Sequence, residues 1–243
     1  MLLNNRPGNR TMMTVRRAQQ RGHSSHGWLD SYHSFSFGSN YDRDHARFSN
    51  LRVINDDTVA PGGGFGTHGH ADMEIISYVL EGGLQHKDSM GNGSVIRPGE
   101  VQRMSAGTGV THSEYNHCSD EPVHFLQIWL LPNRTGVEPG YEQRRFPREE
   151  RRGKLVLLGS PDGRDGSIAS HQDALLYGTL LAAGQRLSHL LAGDRRAYVH
   201  VAAGMASVNG ETPGAGDALA IGGHGEVRLQ GIDDAELLVF DLP

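Results

Sequence analysis

The chain has one cysteine, Cys118, in 243 residues. No intramolecular disulfide can form, so a small secreted fold stapled by disulfides is excluded. No apolar run approaches the ~20 residues that a membrane-spanning helix needs. The most apolar stretch, Ala174–Ala183, is interrupted by Tyr177 and Gly178. The opening residues, Met1 to Gly8, lack the apolar core of a secretion signal, so a cytoplasmic location is expected. Nor is there an excess of positive charge. Lys and Arg number 23 against 28 Asp and Glu, a formal net charge of −5, which leaves no whole-chain basic footprint for nucleic acid. Neither a nucleic-acid nor a membrane partner is expected, and the chain is read as a monomer.

Glycine is abundant, at 33 residues, with 10 prolines. Many turns between short strands explain that usage and long helices do not. The length allows two domains of roughly 100–120 residues each. Residues 1–12 are polar and irregular and read as a flexible tail, with Met12 or Met13 as alternative starts. Thr14–Ala18 reads as a short strand. His33, Phe35 and Phe37 alternate with serines in the period-2 pattern of a half-buried strand. Leu51–Asn55 is a further strand, stopped by Asp56 and Asp57. Ile75–Glu81 and Val123–Leu131 are strongly β-prone, and the run from His86 to Gly93 reads as a turn. The proline- and charge-rich stretch from Pro132 to Lys154 reads as a solvated connection. Strand patterns resume over Leu155–Leu158, Ala174–Leu181, Ala197–Ala202, Met205–Asn209, Asp217–Ile221, Gly225–Gln230 and Glu236–Leu242.

Two stretches carry chemistry. In Gly62–Glu74, His68 and His70 stand two residues apart after a glycine-rich lead-in; in Gly107–Asn116, His112 and Glu114 do the same. Side chains at i and i+2 of a strand point to one face, so each pair can aim into a common interior. Three imidazoles and a carboxylate suit a divalent first-row transition ion and leave one or two positions open, which distinguishes a catalytic site from a closed structural one. Glu74 has the right parity with His70 and stays open as a rival carboxylate. His86, His117 and His124 read as surface or structural. His33 could cover the mouth of the site, though packing with Phe35 and Phe37 is preferred. Cys118 reads as a small packed residue. The later half has no such pair, and His171, His189, His200 and His224 stand alone.

At these residues the chain resembles the cupin superfamily. Gly62, His68, His70 and Glu74 occupy the slots of its first motif, with the closing glycine one residue late at Gly82. Gly109, His112 and Asn116 match its second motif, with Gly107 in the proline slot and Val101 in the leading glycine slot. The phrases His68–Gly82, Gln102–Asn116, Gly27–Phe37 and Tyr141–Phe146 resemble the pirin family more narrowly, and within it the bacterial pirin-like quercetin 2,3-dioxygenases. The resemblance implies an all-β bicupin of two jelly-roll-like barrels. On that view the tail at 1–12 is followed by an N-terminal metal-binding cupin domain at 13–135, a linker at 136–153 and a metal-free C-terminal cupin domain at 154–243. It implies His68, His70, His112 and Glu114 as metal ligands, with Glu114 also as the catalytic base. The ion implied is Fe(II), with Ni, Cu, Co, Mn or Zn as alternatives. The activity implied is dioxygen-dependent ring opening of a flavonol such as quercetin with release of carbon monoxide. The alternative is a non-enzymatic, metal-binding regulator or transcription cofactor.

Overall fold

The computed structural model describes residues 12–223 and 225–243. The tail read at 1–12 therefore lies, but for Met12, outside the described residues, as does His224. Among the described residues the regular structure is mostly strands, with one four-residue helix, Arg148–Arg151, and three short 3-10 turns. It forms a bicupin of two units, each built from a seven-stranded sheet and a smaller one. The sheets are hydrogen-bonded separately rather than as continuous closed barrels.

In the first unit the large sheet runs, in spatial order, through Gly140–Arg145, Glu100–Ser105, Glu74–Glu81, Val123–Leu130, Leu51–Val59, Leu29–His33 and Gly22–Ser25. The smaller sheet holds Gly64–His70, Val110–Asn116, Leu84–Asp88 and Gly93–Ile96. The pleat decides what each face does. On Glu74–Glu81, Ile75, Ser77 and Val79 face the unit's interior. Ile76 and Tyr78 face outward into a shared core with Leu158, Ile168, Tyr198 and Phe240 of the second unit.

The second unit's large sheet is Met12–Arg16, Ala218–Gly222, Arg196–Ala203, Ala235–Leu242, Leu175–Leu181, Val156–Ser160 and Ile168–Ala169. Its outermost strand is thus the first described strand of the chain, paired in register from Met12 opposite Gly222 to Arg16 opposite Ala218. The interior of this unit is filled by aliphatic side chains, among them Leu181, Val199, Val201, Leu219, Leu229 and Val239.

The stretch 136–153 holds more than a connection. Gly140–Arg145 adds an edge strand to the first sheet against Glu100–Ser105. Arg151 is buried between the units, its Nη1 donating to the Tyr78 hydroxyl and, at 3.0 Å, to Glu236. Such a pair tolerates burial only because both charges are matched.

Several expected elements are displaced for identifiable reasons. The strand begun at Leu29 ends at His33; Phe35 instead packs on Tyr198 in the shared core, and Phe37 packs on Trp129. Leu51–Val59 runs through Asp56 and Asp57, because Asp56 is paired with Arg21 at 2.8 Å and His124 at 2.6 Å, and Asp57 accepts from Ser31. His86 belongs to the strand Leu84–Asp88, and the turn begins after it.

Candidate metal centre

His68 and His70 lie on Gly64–His70 and His112 and Glu114 on its partner Val110–Asn116, with His112 directly opposite His68. The ladder slips between His112 and Glu114, so that Glu114 faces Phe65. A bulge of this kind re-aims side chains locally, here bringing Phe65 to the same cavity as His68. Gly64 is required at that crossing, since a Cβ there would meet the Glu114 carbonyl oxygen at 2.5 Å.

The ligand nitrogens of His68, His70 and His112 lie within 4.8 Å of one another. His68 Nε2 and His112 Nε2 are 3.0 Å apart. The Nδ1–H of His68 donates to the Gly66 carbonyl at 2.8 Å, which leaves Nε2 as the bare nitrogen facing the cluster. Burial, reinforced by the neighbouring imidazole of His68, lowers the pKa of His70 to about 4. Burial and the surrounding imidazoles lower that of His112 to about 3. Both are therefore neutral at pH 7, the form that binds metal. His112 Nδ1 is buried without a partner. Three convergent imidazoles with no carboxylate inside the triad fit a divalent transition ion.

Glu114 is not within the same tight group as all three imidazoles. Its carboxyl gathers with His86 and His112 in a second cluster within 4.8 Å. Gln127 Nε2 donates to Glu114 Oε2 at 2.7 Å and Ser77 Oγ to Oε1 at 3.2 Å. Burial raises the pKa of Glu114 to about 7 against those two hydrogen bonds, with the nearby Asp57 carboxyl adding to the rise. Glu74 lies elsewhere. It occupies the outward face of its strand, where Ser105 Oγ donates to it at 2.8 Å, and it joins neither cluster. The parity argument linking it to His70 fails because the two residues are on different strands, with a turn between.

Sequence reading passed over His86, Asn55, Asp57, Ser77 and Gln127. His86 is fully buried, its Nε2 3.1 Å from Asp88, with its ring beside His112 and Tyr141. The signal for it was its i, i+2 relation to Asp88 after the Gly82-Gly83 turn. Asn55, Ser77 and Gln127 share one cross-strand row, in which His33, Asn55, Gln127, Ser77, Gln102 and Gln143 stand opposite one another in turn, while Asp57 lies outside it, opposite Ser31 and Phe125. This polar row crosses the sheet and supplies the two donors to Glu114.

A cavity of about 330 Å³ opens onto the centre, lined by His68, His70, Glu114 and Gln127 and by the rings of Trp28, Phe37, Phe65 and Trp129. His33 lines it as well, in addition to packing on Phe37. Among the described residues, groups of three or more metal-ligating side chains occur only at the two overlapping places above.

A family model described as Pirin matches residues 13–130, and one described as the quercetinase C-terminal cupin domain matches residues 157–242. The chain is 49% identical over 232 residues to a protein of Escherichia coli (strain K12) named quercetin 2,3-dioxygenase, covering 96% of this chain and 99% of that one. It is 40% identical to a pirin-like protein of Caulobacter vibrioides, over 90% of this chain and 95% of that protein. The crystal structure of the bacterial pirin YhhW from Escherichia coli in complex with nickel(II) superposes with a TM-score of 0.91 at 47% identity, covering 96% and 99% of the two chains. The sheets, the paired histidine strands and these matches together make this chain a member of the pirin family of bicupins.

Proposed function

We propose that this protein is a metal-dependent dioxygenase that opens the ring of a flavonol such as quercetin, with release of carbon monoxide. His68, His70, His112 and Glu114 are the ligands in this reading, and Fe(II) is the ion. The division into a metal-binding domain at 13–135, a linker at 136–153 and a domain at 154–243 belongs to the same proposal. The observation that carries it is the cavity of about 330 Å³, which joins the rings of Trp28, Phe37, Phe65 and Trp129 to His68, His70 and Glu114, a lining suited to a planar aromatic with one polar edge.

The ion would supply open positions and draw electron density from a substrate oxygen. The chain's own groups do the rest. Glu114, its pKa raised by burial to about 7, accepts the proton of the substrate hydroxyl close to neutral pH. Gln127 and Ser77 fix where that carboxyl points. The Gly66 carbonyl keeps His68 in the tautomer with Nε2 bare. The aromatic walls exclude water from the reacting edge.

His112→Ala tests the ligand set. Elemental analysis should find well under one metal per chain, and flavonol turnover should be lost. Stoichiometric metal in the variant would overturn the assignment. Full metal in the wild-type protein with no turnover would favour a non-enzymatic regulator instead.

A further inference from the structure

One wall of the cavity carries a hydrogen-bonded chain that the proton transfer at Glu114 does not use. Asn40 Nδ2 donates to Ser24 Oγ at 2.9 Å. Ser24 Oγ donates to His33 Nε2 at 3.1 Å. His33 Nδ1 donates to Asn55 Oδ1 at 2.9 Å. The direction is fixed: a neutral imidazole has one donor and one acceptor nitrogen, and burial lowers the pKa of His33. The chain ends at the Asn55 amide nitrogen, which donates to nothing among the described residues. Two residues on, on the same face of the same strand, Ser31 donates to Asp57 Oδ1, and no donor among the described residues reaches Oδ2. Asn55 and Asp57 are each 3% exposed, and both line the cavity. The Asn55 amide nitrogen and the second Asp57 oxygen are thus a donor and an acceptor with capacity unspent, side by side on the cavity wall, and a ligand group that can both accept and donate would match them.

We propose that Asn55 and Asp57 form a second recognition point that reads a vicinal hydroxyl pair of the substrate on the cavity wall built by Leu51–Val59. One hydroxyl oxygen accepts from Asn55 Nδ2 and its neighbour donates to Asp57. The substrate class is then an enolisable aromatic bearing a catechol, with the enol edge at Glu114 and the catechol at Asn55 and Asp57. Ser31 and His33 are positioning residues: they consume the other hydrogen-bonding capacity of the pair and set which atoms face the cavity. This rests on the dioxygenase reading for its reaction, while the recognition itself is a binding claim.

The test compares quercetin with galangin, the same flavonol without the two catechol hydroxyls. A site built to hydrogen-bond a hydroxyl discriminates against analogues lacking it, and for two contacts at a cavity wall about 10–100-fold in kcat/KM is expected. In metal-loaded wild-type protein quercetin should be preferred by that factor. In Asn55→Asp, which keeps the shape but loses the donor, and in Asp57→Leu, the ratio should fall to about threefold or less. A wild-type ratio near one, or a ratio unchanged in both variants, overturns the proposal. The wild-type ratio stands even where a variant fails to fold. If neither flavonol is turned over, the dioxygenase reading has failed, and titration calorimetry of the two flavonols still decides this one. Tenfold or tighter binding of quercetin, lost in Asn55→Asp, supports it; equal affinities refute it.

Discussion

Asp57→Asn is expected to make the metal-free protein more stable at pH 8. Burial raises the Asp57 carboxyl from 3.8 to about 7, against the hydrogen bond from Ser31 and with the Asp56 charge adding to the rise. Between those two values the folded chain keeps a proton that the unfolded chain has released. Stability therefore falls as pH climbs from about 4, and the loss is complete above about 7. The gap spans about three on the pH scale, and at about 1.4 kcal/mol for each the full cost is on the order of 4 kcal/mol. Asparagine carries no charge, keeps an oxygen to accept from Ser31 and has nearly the same shape. Its amide hydrogens must be satisfied from the cavity, which returns part of the gain, so roughly 2–4 kcal/mol is expected at pH 8. At pH 5 only roughly 1–2 kcal/mol is at stake, and near pH 4 little. Urea unfolding of metal-free wild type and variant at pH 5, 6.5 and 8, followed by tryptophan fluorescence, reads this directly. A variant no more stable than wild type at pH 8, or a gain independent of pH, would refute the reasoning.

Other substitutions test other parts of the structure. Arg151→Ala removes one of two arginines that pair with the buried Glu236 carboxylate, leaving Arg148 at 2.5 Å, and a loss of roughly 1–3 kcal/mol in thermal or urea unfolding is expected; no measurable loss would mean the Arg151 pair does not hold the units together. Glu74→Gln should leave metal content unchanged while Glu114→Gln lowers it, and the reverse outcome by elemental analysis would return the carboxylate role to Glu74. Removing Met12–Arg16 bares the edge strand Ala218–Gly222 and deletes the Arg16 pairing with Asp42 at 3.2 Å. Lower solubility and a lower melting temperature are expected, and an unchanged melting temperature would contradict the strand's part in the second sheet.

The all-β class was legible because glycine punctuation and period-2 runs are local signals, and most strands of the second unit fall within a residue or two of where the pattern places them. The His68/His70 and His112/Glu114 pairs were legible for the same reason, since i, i+2 spacing needs only the pleat. What pairing alone decides was not. Asp56 and Asp57 read as a strand stop because two carboxylates in succession are poor strand formers. Their partners, Arg21, His124 and Ser31, are supplied by residues up to 68 positions away. His86 read as a turn residue because its burial depends on the facing strand. The row from His33 to Gln143 has no expression in any one segment and exists only through cross-strand register. The first strand's place in the second sheet is likewise a long-range pairing, joining Met12–Arg16 to residues some 200 positions on. Residue identities suggested a metal; the long-range partners define the cavity beside it.

The most direct test of the account is aerobic loss of the quercetin absorbance band by metal-stripped protein and by protein reloaded separately with iron, nickel, copper, cobalt or manganese. Turnover should be absent in the stripped protein and appear on reloading, with carbon monoxide released in step with quercetin lost. Protein shown to hold one metal per chain that consumes no quercetin with any of these ions would contradict it.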